Sequence, residues 1–318
     1  MNNSAIIFIA GPTAVGKTDV ALALAQKLKG EIVSCDSMQA YKEASIASNK
    51  PSAGQLKKVK HHLLGIVSVK KEFDVAAFQK KAFAAIKGIL RRGKTPIVAG
   101  GSGMYMQVLL DGIFDRAQKN DRLRGKLAEE LASSGADVLY SRLRQVDPPA
   151  AAKIHPNDHR RVIRALEVFE LKKQPISEVK KNRKGLWGTY PIKVFALNRQ
   201  REELYSRINA RVEEMFAGGL VDEMKKISTM KLSKTAQGMI GLKEVSGFLR
   251  GEYDLERAKY LLKRNTRHFA KRQLTWFRKD KRLQWIHIAE GDRLETIVNQ
   301  IVEMSKGQTS KVKPLDNI

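Results

Sequence analysis

Residues Gly11-Pro12-Thr13-Ala14-Val15-Gly16-Lys17-Thr18 directly follow the apolar run Ile6-Ile7-Phe8-Ile9-Ala10. A buried strand, a glycine-rich turn and a helix start in that order commit the beginning of the chain to an α/β arrangement with a phosphate cradle. The glycines let backbone N–H groups converge on anionic oxygens, the helix start adds a positive partial charge, and Lys17 adds a full one. Thr18 can offer its hydroxyl to a Mg²⁺ bridging the same phosphates. Val20, Leu22, Ala23, Leu24 and Leu28 carry the helix onward. The chain is expected to grip a polyphosphate.

Apolar runs at Ile6–Ala10, Glu31–Ser34, His62–Ile66 and Thr95–Ala99 read as strands, with helices at Lys17–Leu28 and Val75–Leu90. Alternation of this kind implies a parallel sheet flanked by helices. The pattern changes near Asp115. Helical periodicity at Asp121–Ala132, Ala136–Leu143 and Asp158–Leu171 is interrupted by no strand until Ile192–Leu197. The expected fold is therefore α/β, a P-loop NTPase-like parallel sheet flanked by helices, with an inserted all-helical domain. Residues 1–115 form the first part of the core and 116–185 the insertion, with Lys172–Lys184 as a flexible return. Residues 186–304 return to the core and end in a basic helix, Asp254 to about Arg278, capped by Asp254. A disordered tail, 305–318, completes the division.

Charge narrows the partners. Lys and Arg number 59 against 33 Asp and Glu, a formal net charge of +26. Such an excess self-repels in the folded state and points to a polyanion. Between Arg257 and Arg282 eleven Lys or Arg accompany one acid, Asp280. His268, Phe269, Gln273, Trp276 and Phe277 stand among them, side chains that can stack on or read bases. Ribosomal contact, membrane-surface binding and general solubility are the plainer alternatives. No apolar run approaches the length of a membrane span, and the single cysteine, Cys35, excludes an internal disulfide. A cytoplasmic location without membrane contact is expected.

Other motifs choose among phosphate-binding functions. The GTPase signatures D-x-x-G after a strand and N-K-x-D are missing, and no strand ends in an ordinary Walker B acid. Instead two strands end in Cys35-Asp36-Ser37-Met38-Gln39 and Gly100-Gly101-Ser102-Gly103-Met104-Tyr105. Ligands bind outside the carboxyl ends of parallel strands, so both tips should lie beside the P-loop. Further on come His155-Pro156-Asn157-Asp158, Arg160 through Val168, Arg207 and Arg211 before Gly219-Leu220-Val221-Asp222-Glu223, and Thr266 through Phe277. The ordered set resembles the tRNA dimethylallyltransferases, also called tRNA isopentenyltransferases, over roughly residues 5–286.

That resemblance implies transfer of a dimethylallyl group from dimethylallyl diphosphate to N6 of adenine 37, beside the tRNA anticodon. Gly11, Pro12, Thr13, Ala14, Val15, Gly16, Lys17 and Thr18 would hold the diphosphate, with Mg²⁺ on Thr18. Asp36 sits where the family places the base that accepts the N6 proton. Ser102, a threonine in the family, would donate to a phosphate oxygen, and Arg207 would clamp the diphosphate. The target base must flip out of its stack. Gln39 would read its edge, within a tRNA-binding set of Asp36, Ser37, Met38, Gln39, Ser102, Arg160, Arg161, Val162, Ile163, Arg164, Lys271 and Arg272. The partners implied are a tRNA anticodon stem-loop and dimethylallyl diphosphate, and a monomer is expected.

Plain alternatives stand beside these roles: Asp36 as a metal or water ligand, Ser102 as a tight-turn residue, Arg207 as a surface arginine. His61, His62 and Cys35 read as structural. Ala40, Leu242 and His268-Phe269 depart from the family pattern, none of them at a phosphate ligand. Rival functions are an adenylate isopentenyltransferase, a small-molecule P-loop kinase and a non-enzymatic RNA-binding module. The helical insertion and the basic helix favour tRNA over a free nucleotide.

Overall fold

The computed structural model describes residues 5–113 and 120–306. The chain divides into two compact units, Met1–Leu110 with Leu186–Ile318, and Asp111–Gly185.

In the first unit strands β1 (Ile6–Ala10), β2 (Glu31–Ser34), β3 (His61–His62), β4 (Pro96–Ala99), β5 (Ile192–Asn198) and β6 (Gln284–His287) form one sheet in the order β3-β2-β4-β1-β5-β6. Every pairing is parallel. Successive residues of a strand face opposite sides, and β1 shows the consequence. Ile6, Phe8 and Ala10 join one apolar cluster while Ile7 and Ile9 join another. Both faces are covered, which is why β1 is an unbroken apolar run rather than an alternating one.

Helices α1 (Lys17–Lys27), α2 (Ala53–Lys58), α3 (Val75–Arg91) and α4 (Gly103–Asp111) belong to the first stretch of chain. The second unit is built from α5 (Asp121–Ser134), α6 (Ala136–Val146), α7 (Pro148–Ala151), α8 (His159–Lys172) and α9 (Ile176–Val179). After it come α10 (Arg201–Ala217), α11 (Leu220–Ser228), α12 (Leu242–Leu249), α13 (Leu255–Phe277) and α14 (Leu294–Lys306).

The second unit is all-helical among its described residues, around Leu127, Leu139, Leu143, Val162 and Leu166. Its fully buried carboxylate, Glu167, accepts from the Asn120 N–H, Arg124 Nε and Arg164 Nη1 at 2.9, 2.9 and 2.6 Å. Burial raises the cost of that charge, and the hydrogen bonds, Arg164 foremost, outweigh it and hold the carboxyl below its usual range.

Several expectations need correction. The stretch 172–184 is not a free return. Lys173 ends α8 in the left-handed region, Ile176 and Val179 of α9 are buried, and the Ser177 N–H reaches Asp147 Oδ2 at 2.9 Å. The third strand stops at His62, because Leu63 and Gly65 both take positive φ and turn the chain off the sheet edge. The basic helix α13 does begin after its Asp254 cap but is not the last helix. Strand β6 and helix α14 follow it, and α14 packs on α1. Ser305 and Lys306, expected in a disordered tail, close α14, and residues 307–318 lie outside the described residues.

Candidate active site

The turn after β1 is shaped by its own sequence. Gly16 caps α1 in the left-handed region at φ 105°, and no side chain caps the helix start. First-turn N–H groups of α1 are thus left for an anion. At the tip of β4, a Cβ on Gly100 would lie 2.1 Å from the Cys35 carbonyl oxygen, so only glycine allows the β2 and β4 tips to close up. The Ser102 N–H then donates to Cys35 O at 3.2 Å, and Ser102 Oγ accepts from the Ser37 N–H at 3.2 Å.

These tips and the P-loop open on one cavity of about 480 Å³. One end is cationic: Lys17, Arg207 and Arg211 line it with Thr13 and Thr18. Met215, Met239, Ile240, Leu262 and Phe269 give it an apolar wall. Asp36, Ser37, Met38, Gln39, Ser102 and Arg272 line it too. Helix α10 supplies both characters, because Arg207 and Arg211, four residues apart, share a face flanked by Val212 and Met215.

Three arginines grip three successive P-loop residues. Arg211 Nη1 donates to Thr13 Oγ1 at 2.9 Å, Arg207 Nε to Ala14 O at 2.9 Å, and Arg199 Nε to Val15 O at 3.1 Å. Lys17 Nζ donates to Pro12 O at 2.6 Å. Burial, and then the Arg211 charge, bring the Lys17 pKa down to about 7, against the opposing pull of Asp36. Such crowding of positive groups is costly without an anion and makes the cavity strongly anion-seeking.

Asp36 Oδ1 accepts from the Met38 and Gln39 N–H groups at 2.9 and 3.4 Å, which fixes the carboxylate in a turn. Its Oδ2 accepts no hydrogen bond among the described residues. The Gln39 amide is committed at both ends: Oε1 accepts from Ser34 Oγ at 2.7 Å, and Nε2 donates to Ser48 O and Asn49 O at 3.3 and 3.2 Å. Base reading by Gln39 would require breaking these bonds. Cys35 is fully buried, and that burial pushes its thiol up, as suits a structural residue. His61 and His62 are likewise held, by Val59 O and by Glu31.

On the second unit, Arg160 and Arg161 are exposed at the start of α8, and Arg161 pairs with Asp158 at 2.5 Å. Val162 is a correction to the expected contact set. It is 2% exposed in that unit's core, because position 162 falls on the inward stripe of α8. Ile163 is partly buried against the same core, and Arg164 is engaged with Glu167. Lys271 and Arg272 are exposed on α13.

Among the cavity residues outside the expected site, Arg211 and Gln273 both hold Thr13. Arg211 was legible, since its spacing from Arg207 puts both on one helix face. Gln273, expected among the side chains able to stack on or read bases, instead bonds to the backbone of the cradle. It is buried, its Oε1 accepts from the Thr13 N–H at 2.8 Å, and its Nε2 donates to Gly101 O at 3.0 Å. No sequence signal pairs residues 260 positions apart. For a divalent ion the described residues offer no cluster of three or more acidic, His or Cys ligands. Thr18, Asp19 and Asp36 bring hard oxygens to the cavity, a set that fits a Mg²⁺ taking its remaining ligands from phosphate and water. No described helix is long and apolar enough to cross a membrane.

Comparison with known proteins gives the family. The IPP transferase family model matches residues 39–280. The tRNA dimethylallyltransferase of Halothermothrix orenii is 43% identical over 308 residues, 96% of this chain and 94% of that one. That of Thermotoga maritima is 40% identical, covering 94% and 98%. Among solved structures, the full-length tRNA isopentenylpyrophosphate transferase of Bacillus halodurans superposes with a TM-score of 0.70 at 37% identity, over 95% and 97% of the two chains. A eukaryotic dimethylallyltransferase acting on tRNA gives 0.81 at 30% identity, over 97% and 81%. With a phosphate cradle, an anchored carboxylate and an apolar wall meeting in one cavity, and with family-wide likeness along nearly its whole length, the chain belongs to the IPP transferase family.

Proposed function

We propose that the chain is a tRNA dimethylallyltransferase, moving a dimethylallyl group from dimethylallyl diphosphate to N6 of adenine 37 and releasing diphosphate. The observation that carries this is the character of the cavity beside the P-loop, cationic at the P-loop, apolar along α10 and α13, with Asp36 on its wall. The apolar wall suits a five-carbon chain, and the helical unit bearing exposed Arg160 and Arg161 suits an RNA better than a free nucleotide.

In this reading Thr13, Gly16, Lys17, Thr18, Arg207 and Arg211 hold the diphosphate. The five-carbon chain lies against Met215, Leu262 and Phe269. The N6 lone pair attacks the allylic carbon as its bond to the diphosphate oxygen breaks, and the bonding pair leaves with the diphosphate. The N6 proton passes to the Asp36 carboxylate, whose orientation the Met38 and Gln39 N–H groups keep. Positive groups already in place oppose the charge gathering on the leaving group without rearrangement. Mg²⁺ bound through Thr18 would supply further charge neutralisation there. Ser102 contributes a hydroxyl beside the carboxylate turn. Arg160, Arg161, Lys271 and Arg272 bind the anticodon stem-loop through its phosphates, contacts that orient more than they discriminate. In this reading the enzyme works as a cytoplasmic monomer.

The test is label transfer. Purified protein with Mg²⁺ and labelled dimethylallyl diphosphate is offered an unmodified anticodon stem-loop or AMP. Label in the RNA at N6 is expected. Label in AMP but not RNA would mean an adenylate isopentenyltransferase, and phosphate transfer from ATP would mean a kinase.

A further inference from the structure

Glu223, near the start of α11, contacts no P-loop residue and lies outside the cavity lining. Its carboxylate collects three successive backbone N–H groups: Ser45 at 2.8 Å, Ile46 at 3.1 and 2.8 Å, and Ala47 at 2.9 Å. Consecutive N–H groups turned toward one point make an anion-binding concavity. Here the anion is a side chain from 178 residues further along. The segment 42–52 contains neither helix nor strand, and its Ser45, Ile46 and Ala47 amides find their acceptor in this side chain. Lys50 draws in the same segment, donating to Lys42 O at 3.1 Å and to Tyr41 O.

What Glu223 fixes faces the chemistry. The clamped Ala47 lines the cavity, as do Ser48 and Asn49 directly after it. The Ser48 and Asn49 carbonyls hold Gln39 Nε2, and the Gln39 N–H is one of the two that hold Asp36 Oδ1. A continuous set of hydrogen bonds therefore runs from Glu223 through the 45–49 backbone and Gln39 to Asp36. We infer that Glu223 is a positioning residue for the transfer reaction: it sets the cavity wall at 45–49 and, through Gln39, the turn that aims Asp36. The inference rests on Asp36 serving that reaction, as argued above. It also gives the Gln39 amide a part, that of a link rather than a reader of bases.

The test compares Glu223→Ala and Glu223→Gln in the full chain, with peptide-resolved hydrogen exchange, single-turnover transfer to the anticodon stem-loop, and pyrophosphate binding. In Glu223→Ala, amides 45–47 should exchange faster while the sheet stays protected. Transfer should slow about 10- to 100-fold, the usual cost of a reacting group misplaced by about an ångström. Pyrophosphate affinity should stay within about twofold, since the P-loop is held by other residues. Glu223→Gln, which keeps one acceptor, should fall between and guards against a misfolded alanine variant. Gln39→Leu should show the same slowing, and the double variant should be no slower than the slower single one, because both changes cut one chain of contacts.

Normal transfer by a Glu223→Ala protein whose 45–47 amides exchange fast would overturn the inference. So would losses that multiply in the double variant, or a fall in pyrophosphate affinity matching the fall in rate. A wild-type protein that labels no RNA would instead remove the transfer reading itself, leaving Glu223 as a structural clamp.

Discussion

The Thr13 backbone N–H donates to Gln273 Oε1 at 2.8 Å, joining the phosphate cradle to the C-terminal part of the 23-residue helix α13. The same amide gives its Nε2 to Gly101 O at 3.0 Å, so one buried side chain spans the P-loop and the β4 tip. Replacing Gln273 with Leu strands the buried Gly101 carbonyl and takes the acceptor from the half-buried Thr13 N–H. Each such loss costs about 1–3 kcal/mol, and pyrophosphate affinity should fall together with the melting temperature. Paired denaturant melts and calorimetric titrations measure both; a melt shift without any loss of affinity would show that the bridge does not organise the cradle.

Two glycines should respond oppositely to alanine. At Gly100 the added carbon meets the backbone of Cys35 at 2.1 Å, which no side-chain motion relieves. Gly100→Ala is expected to separate the β2 and β4 tips and to cost about 2 kcal/mol or more. Gly125, within α5, has nothing within 4 Å of its Cβ position. Gly125→Ala should stabilise the protein by about 0.5–1 kcal/mol through helix propensity. Chemical denaturation of the two variants settles the comparison.

Asp36→Asn keeps the shape of the side chain and removes its capacity to take a proton. Transfer to the stem-loop should slow by about 10²–10⁴-fold, with RNA affinity nearly intact. Rates near normal would take Asp36 out of the general-base role and leave it as a ligand for metal or water.

Lys17 makes the cavity sensitive to pH. Its pKa of about 7 in the free protein lies well below the ordinary 10.5. A bound diphosphate favours the charged form and raises that value. Below pH 7 the lysine carries its proton in both states; above it, binding must bring a proton in. Uptake of up to one proton per diphosphate is therefore expected near pH 8.5, with affinity falling by at most about tenfold per pH unit above pH 7. Titration calorimetry in buffers of different ionisation enthalpy reads the uptake directly. The sign for folding is the reverse: between pH 7 and 10.5 the unfolded chain holds more protons at this site, so this group's contribution to the stability of the free protein rises with pH across that window. No proton uptake at pH 8.5 would show that Lys17 is already charged in the empty cavity.

What could be read without coordinates was local in origin. The strand–turn–helix at residues 6–28 follows from an apolar run, two glycines and a helical stripe within one short window, and β1, Gly16 and α1 stand accordingly. The Asp254 cap announced α13 for the same reason. Helix α14 carried a usable signal as well, since Leu294, Ile297, Val298, Ile301 and Val302 recur at helical spacing. Strand β6 carried none: of its four residues, Trp285 and Ile286 stand between Gln284 and His287, too short a run to show a period.

The sequence by itself determined the phosphate cradle and the parallel sheet, because spacing along the backbone dictates both, and its ordered motifs carried the resemblance to the family. Only the tertiary structure decided that Arg199, Arg207 and Arg211 would meet Val15, Ala14 and Thr13, that Gln273 would bridge Thr13 and Gly101, and that Val162 would turn inward. Those partners lie far apart in the chain, or differ only in which face of a helix they occupy. Packing of the whole molecule selects them, and no stretch of a few residues contains that information.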